Sequence, residues 1–332
     1  MSLFYIPVVF YIIGLVVRYR GLTFTAVNPG LPGSGFIGEN KSDSLFKLQQ
    51  HSASTTAKTL LVNQSSSLDD KCRQCQQFMQ QHVLQYPVIL KPDFGQRGVD
   101  VAIINNDDTL REYLAAALFD TVLQEYVAGV EFGVFYIRHP DKPRGEIFSI
   151  THKCFPVIVG DGKHSIDQLI CQHPRLHYMA AFLFEKHDNI LEKVPAHNEQ
   201  INLVTLGSHC RGSLFLEGQQ YHTDALEQMI DHASQGIPGF YFGRYDIRAD
   251  SIEAFQRGEC KVIEVNGVTS ESTNMYDPQY SLLDAYRILF KQWRLAFQIG
   301  KKNIQLGHLP MGLMDLVNKV RIMNTGTESS NG

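Results

Sequence analysis

The sequence predicts an α+β protein, and three observations carry that prediction. From Tyr86 the chain reads strand, glycine loop, strand, helix, strand, with hairpins in place of a regular β-α-β series. Two polar-faced strands, FGRYDIR from Phe242 and KVIEVNG from Lys261, follow a helical pattern over residues 223–235. A long amphipathic helix over residues 280–299 comes after them. With 332 residues, 44% hydrophobic and 19% charged, the chain can bury a large core in more than one lobe and lies outside the disordered class. The 30 basic against 34 acidic side chains leave a net charge of −4, which gives no support for a nucleic-acid surface. Of the cysteines Cys72, Cys75, Cys154, Cys171, Cys210 and Cys260, only the first two are close. No second ligand pair follows at zinc-site spacing, so scattered thiols of a reduced intracellular protein are expected.

The elements follow in order. The chain is apolar from Leu3 to Val17 and closed by Arg18 and Arg20. A spanning helix needs about 20 apolar residues, and no basic n-region or small-residue cleavage site is present. The segment is expected to be a helix packed on the protein or lying at a membrane surface, with a single-span anchor as the alternative. The protein is accordingly placed in the cytoplasm, with membrane association through this helix left open. Residues 26–45 are rich in Asn, Gly and Pro and form a loop, with a short helix over 42–50 and a polar linker over 51–58. Residues 59–62 read as a strand and 69–84 as a helix.

The strand YPVIL runs into Lys91, the loop PDFGQRG follows, and VDVAII is the next strand. Asp107 or Asp108 is expected to cap a helix reaching about Leu118. TVLQEYV and GVEFGVFYIRH are strands, and PVIVGDGKHSIDQLI is a strand, a turn and a helix start. Residues 176–191 are expected to be helical, and SLFLEGQQYHT to be two strands around Gly218. In the long helix, Ser281 stands near the start and Gly300 just past the end. Leu282, Ala285, Leu289, Trp293 and Phe297 mark its core face. Three regions result: 1–85 as an N-terminal region with a partial lobe, 86–300 as the main domain, and 301–332 as a partly disordered tail.

Side chains two apart on a strand share a face. Val262, Glu264 and Asn266 therefore share one, as do Arg244, Asp246 and Arg248. If the two strands pair, Asp246 lies beside Glu264 and Asn266. Oxygen-only ligands suit a hard cation, Mg²⁺ or Mn²⁺, and Arg244 supplies charge for a transferring phosphate. A solvated sheet face is the plain alternative. The apolar β-branched residues Val262, Ile263 and Val265 argue against it, because buried carboxylates need partners. Lys91 emerges from a strand end, and Gly95 and Gly98 let a loop backbone approach an anion. The loop is neither a Walker loop nor a dinucleotide fingerprint. In QEYVAGVEFGV a strand end offers backbone groups to a flat base and Glu131 a carboxylate to ribose hydroxyls. A hairpin with acids on its outer face reads equally from these residues.

Taken together, VILKPDFGQRGVDV, LQEYVAGVEFGVF, FPVIVGDGKHSIDQLI, FGRYDIR and VIEVNG stand in the order found in the ATP-grasp superfamily. Over residues 87–300 the chain resembles its D-alanine–D-alanine-ligase-like and cyanophycin-synthetase-like carboxylate–amine ligases. Residues 26–45 and NGVTSESTNMYDP are similar to an uncharacterised bacterial subgroup of these proteins. The resemblance implies two lobes holding the nucleotide between antiparallel sheets. It implies that Lys91 contacts ATP phosphates under a flexible loop containing Gly95, Gln96 and Gly98. Glu125, Tyr126 and Val127 would frame the adenine and Glu131 the ribose. Arg244 would sit on the transferring phosphate, and Asp246, Glu264 and Asn266 would bind Mg²⁺ or Mn²⁺. Lys153, beside His152, and Arg211 would bind a carboxylate or acyl-phosphate. Lys58 is a positional candidate for a further phosphate lysine.

Ser270, Glu271 and Ser272 would line the acceptor substrate, with Glu271 able to hold an amine. GVTSES stands where the dipeptide ligases carry serine-proline-glycine, so D-alanine is not implied. The expected activity is ATP-dependent joining of a small-molecule or peptide carboxylate to an amine (or a thiol) through an acyl-phosphate. A small-molecule kinase and a non-catalytic membrane-associated nucleotide-binding module are the alternatives. A homodimer is the default assembly.

Overall fold

The computed structural model describes residues 2–36, 40–95, 98–155, 157–174, 176–203 and 213–318. A small antiparallel sheet has the order β1-β4-β2-β3, from β1 (Thr59–Val62), β2 (Val88–Pro92), β3 (Ala102–Ile104) and β4 (Thr121–Glu125). Helices α3 (Leu68–Gln81) and α4 (Asp107–Ala116) pack on it through Cys75, Leu110 and Leu114 against Val62, Leu90 and Leu123. Strand β1 and helix α3, from the expected N-terminal region, thus share one sheet and core with strands beyond residue 85. The cap of α4 is Asn106, in place of Asp107 or Asp108. Its Oδ1 accepts the Thr109 N–H at 2.9 Å, and the two acids fall in the first turn, where they face the helix dipole favourably.

The central sheet has the order β11-β10-β5-β6-β9 and is antiparallel throughout. Its strands are β5 (Val130–Ile137), β6 (Glu146–Cys154), β9 (Leu214–Glu217), β10 (Phe242–Ala249) and β11 (Lys261–Asn266). Alternation sends Phe132, Val134, Tyr136, Tyr245 and Ile247 to one side. There they meet α2 (Lys41–His51), α7 (Asp224–Gln235) and α8 (Ile252–Gln256), with Phe132 stacked on Phe255 at 3.8 Å between ring centres. Phe135, Ile137 and Phe242 point the other way, against α1 (Ser2–Tyr19) and α9 (Leu282–Gln305). A two-stranded sheet, β7 (Val157–Val159) with β8 (Gln200–Asn202), makes its own core with α5 (Ile166–Gln172) and α6 (Ala180–Lys186).

Several expectations are corrected here. Strands β6 and β8 were not expected. Residues 176–191 are a 3-10 turn, α6 and a second 3-10 turn, since only Leu176 and Leu183 of the segment are buried and little packing supports a continuous helix. SLFLEGQQYHT is one strand and a 3-10 turn, because the Glu217 carboxylate accepts the Gln219 N–H at 2.6 Å and turns the chain. Leu282 is exposed, so the core face of α9 begins at Ala285. Of the expected tail, residues 319–332 lie outside the described residues, while 301–305 continue α9.

Helix α9 also runs through Gly300. A Cβ there would stand 1.9 Å from the Thr23 carbonyl oxygen, so the glycine serves close approach between α9 and the 3-10 turn Thr23–Ala26. Gly300→Ala is expected to lower unfolding free energy by about 2 kcal/mol in denaturant titration, overlap with backbone outweighing alanine's better helix propensity of about 1 kcal/mol. An unchanged or raised midpoint would remove this account. Asn28, fully buried, holds the same region to β10: its Nδ2 donates to Phe242 O at 2.6 Å and its Oδ1 accepts the Tyr241 and Phe242 N–H groups at 2.9 Å.

Helix α1 buries Val8 and Leu15 against α9 and the sheet and leaves Ile6, Phe10, Ile13 and Val17 exposed on an outer row. Among the described residues, no helix is long and apolar enough to cross a membrane.

Candidate active site

Helices α1 and α9 cover only part of their face of the central sheet. Where Phe135, Ile137 and Phe242 end, the same face continues as Glu131, Lys153, Asp246, Arg244 and Arg248. The expected pairing of the two polar strands is present: Asp246 stands opposite Glu264 and Arg244 opposite Asn266. One detail differs. The register then steps to Ile247 opposite Val262, so Ile263 forms a β-bulge. Val262 therefore turns into the core and does not share the face of Glu264 and Asn266. The bulge also frees the Ile263 carbonyl. It accepts from Lys91 Nζ at 3.2 Å and Gln124 Nε2 at 3.1 Å, both carried by the small sheet. This carbonyl joins the two sheets at the site.

The charged groups form a buried chain. Arg248 Nε meets Glu131 Oε2 at 3.0 Å, Lys153 Nζ meets Glu131 Oε1 at 2.9 Å and Asp246 Oδ2 at 3.0 Å, and Arg244 Nε meets Asp246 Oδ1 at 3.0 Å. Gly133, opposite Asp246 on β5, makes room for the chain: a Cβ there would lie 3.2 Å from Arg244 Cδ and 3.7 Å from both Asp246 Oδ1 and Lys153 Cε. Burial alone would raise the Asp246 carboxyl, but the Arg244 and Lys153 charges outweigh it and hold it well below the usual carboxylate range. Burial would lower the Lys153 ammonium, and the Asp246 and Glu131 carboxylates outweigh that in turn and raise it. Lys91 is different: burial dominates, and its ammonium is lowered to about 8 despite Glu264 nearby. Lys41 Nζ lies 3.5 Å from Glu264 Oε1 and donates to Gly95 O at 2.5 Å. Five cations, Arg244, Arg248, Lys153, Lys91 and Lys41, thus face four carboxylates, Asp246, Glu131, Glu264 and Glu271. The excess of positive charge suits a polyanion.

Other expected residues fall as follows. Gly95 and Gly98 lie in the loop after β2, Gly98 with φ 71°, a conformation that favours glycine. Gln96 and Arg211 lie outside the described residues. Glu125 Oε2 accepts the Lys58 N–H at 3.0 Å and its Oε1 pairs with Lys261. The Lys58 ammonium donates to Ala53 O, so the further lysine at the charged cluster is Lys41. The Val127 carbonyl accepts from Arg248 Nη1 at 2.8 Å, and the Arg248 guanidinium lies 6.0 Å from the Tyr126 ring centre. Both Glu131 oxygens, expected at a ribose, are engaged by Lys153 and Arg248. His152 alternates to the opposite face, stacked on Phe132 at 4.7 Å. Sequence reasoning missed Lys41, Gln124, Gly133, Lys261 and the pairing role of Arg248. Alternation with Arg244 and Asp246 was the one signal that reached Arg248.

Beyond β11, Ser270 and Ser272 are buried, and the Ser270 hydroxyl donates to Gly267 O at 2.5 Å within the turn. Glu271, between them, is half-buried, and Arg244 Nη1 donates to its backbone carbonyl at 3.2 Å.

The sequence of residues 39–133 matches the family model described as the RimK-like ATP-grasp domain. That span contains the small sheet, the Lys91 loop and Glu131. The protein has an α+β fold, and residues 39–133 carry its similarity to the ATP-grasp domain. A comparison with curated proteins finds no match. Among solved structures the chain is similar to a bifunctional glutathione synthetase from Pasteurella multocida, at 14% identity and TM-score 0.40, over 76% of this chain and 36% of that one. It is also similar to a D-alanine–D-alanine ligase from Bacillus anthracis, at 14% identity and TM-score 0.45, over 79% and 66%. A third is the VanG D-Ala:D-Ser ligase from Enterococcus faecalis, at 12% identity and TM-score 0.42, over 76% and 61%. This chain spans between about a third and two thirds of the length of these proteins.

Proposed function

We propose that this protein is an ATP-dependent carboxylate–amine ligase working through an acyl-phosphate. The observation that carries the reading is the buried, cation-rich chain on the central sheet with Lys91 facing it from the small sheet. Phosphoryl transfer asks the protein for positioning and charge neutralisation more than for a nucleophile, and these residues supply both.

In this reading Lys91 and the loop holding Gly95, Gln96 and Gly98 bind the ATP phosphates, and Arg244 binds the phosphoryl group in transit. Glu125, Tyr126 and Val127 border the adenine. Glu131 acts by fixing Lys153 and Arg248, and Lys153 and Arg211 serve the carboxylate end. The donor set of Asp246, Glu264 and Asn266 is oxygen-based and fits Mg²⁺ or Mn²⁺. Asn266 Nδ2 is buried with no hydrogen-bond partner among the described residues, and a phosphate oxygen would satisfy it. Asp246, Glu264 and Asn266 would hold the ion, which supplies neutralisation of phosphate charge when bound. The exposed outer row of α1 supports peripheral membrane contact as an accessory feature.

The test is thermal unfolding with ATP and Mg²⁺. Wild type is expected to be stabilised, and Glu264→Gln much less so. ADP release that requires both a carboxylic acid and an amine identifies the ligase. ADP release with acid or alcohol alone and a phosphorylated product would mean a kinase. No stabilisation by any nucleotide would overturn the reading.

A further inference from the structure

The segment after β11 carries a second built feature, and it uses the N-terminal helix. Glu271 Oε2 accepts from the Tyr5 hydroxyl at 3.0 Å and from the Tyr276 hydroxyl at 2.9 Å, and the two phenol oxygens are 2.7 Å apart. Tyr5 comes from α1, 266 residues away in sequence. The backbone on both sides of Glu271 is fixed by one buried amide of α9: Gln292 Oε1 accepts the Ser272 N–H at 3.0 Å, and Gln292 Nε2 donates to Ser270 O at 2.7 Å. The carboxylate is therefore held at its backbone and at one oxygen. Its other oxygen, Oε1, has no hydrogen-bond partner among the described residues.

We infer that Glu271, Tyr5 and Tyr276 form an ammonium-binding subsite for the amine substrate, and that α1 is part of the substrate site. The inference rests on the ligase reading and names the chemical class of its acceptor. A fixed carboxylate with one open oxygen accepts hydrogen bonds and prefers a cationic donor. It repels a carboxylate placed at the same point, so the protein recognises the acceptor by its primary amine. The position agrees with that use. Arg244, which would hold the phosphoryl group of the acyl-phosphate, donates to the Glu271 carbonyl at 3.2 Å, so the ammonium is captured beside the acyl-phosphate; after it passes a proton to the Glu271 carboxylate, the free amine attacks the acyl carbon and phosphate leaves. The two phenols orient the carboxylate and act through it.

The test uses the 332-residue chain with Mg²⁺ and the non-hydrolysable β,γ-imido analogue of ATP. The probes are the amides of the common amino acids and putrescine, all primary ammonium ions without a carboxylate, against their N-acetyl counterparts. Thermal shift and titration calorimetry give the affinities. In wild type, members of the ammonium series are expected to bind, and the N-acetyl forms to give no shift. Glu271→Gln should weaken amine binding about tenfold or more, and Tyr5→Phe severalfold, both keeping the wild-type shift with Mg²⁺ and nucleotide, which also reports that they fold. Three results would overturn the subsite: wild-type amine affinity in Glu271→Gln, equal binding of N-acetyl forms, or no amine binding to a protein that binds the nucleotide. A wild type that binds no nucleotide would instead remove the ligase reading, and the subsite with it.

Discussion

Asp246→Asn is expected to lower the unfolding free energy by about 3 kcal/mol and to abolish nucleotide-dependent stabilisation. Removing one partner of a buried ion pair typically costs about 3–5 kcal/mol, because the other charge stays buried. Here Lys153 keeps Glu131, which places the effect at the lower end, while Arg244 loses its ion pair with Asp246. The pH dependence has a definite sign. The folded Asp246 carboxyl lies below its ordinary value, since the Arg244 and Lys153 charges outweigh burial. Its contribution is therefore complete above the ordinary carboxylate range near pH 4 and is lost as pH falls through the lower folded value. In Asp246→Asn this part of the acid limb should disappear. Urea titrations between pH 2 and pH 7 check both points. A variant within about 1 kcal/mol of wild type, with the same acid limb, would mean that the chain of charges does not hold the sheet together.

The same strands explain how much of the molecule was legible in the sequence. The pairing of FGRYDIR with KVIEVNG followed from period-two alternation, because a strand buried among β-branched residues leaves few alternatives for its carboxylates. The bulge at Ile263 was not legible. It changes the face of Val262 and exposes a carbonyl to Lys91, and neither effect has a residue-type signature when the bulged residue is neither Gly nor Pro. Strand β6 was hidden by the site itself: Ser149, Thr151 and Lys153 face the site side and break the apolar pattern of a central strand. Tyr5 and Lys41 reach the site from the first 45 residues, through contacts that no local pattern encodes. Gly300 looked like a helix stop because glycine favours that position. Its actual role, close backbone approach, depends on the turn that packs against it.

Lys91→Met is expected to abolish most nucleotide affinity while leaving the unliganded protein no less stable than wild type. The two effects have one cause. Lys91 is buried between the sheets, and burial lowers its ammonium from its ordinary value to about 8. The unfolded chain then holds this proton more tightly than the folded one, so unliganded stability rises as pH passes from about 8 toward the ordinary lysine value near 10.4. At neutral pH the buried charge is a burden on the fold, and removing it offsets the loss of its bonds to Gln124 Oε1 and Ile263 O. A phosphate reverses the balance, because it favours the ammonium and raises its value. Binding of MgATP should therefore take up a proton around pH 8 to 9, with Kd rising as the pH climbs past about 8. Loss of one charge-assisted hydrogen bond, about 1.5–3 kcal/mol, corresponds to roughly tenfold to hundredfold weaker binding in Lys91→Met, with the pH dependence flattened. Calorimetry in buffers of different ionisation heat measures the proton uptake directly. Tight, pH-independent MgATP binding by Lys91→Met would place the phosphates elsewhere, and a clear loss of unliganded stability would show that Lys91 is there to join the two sheets.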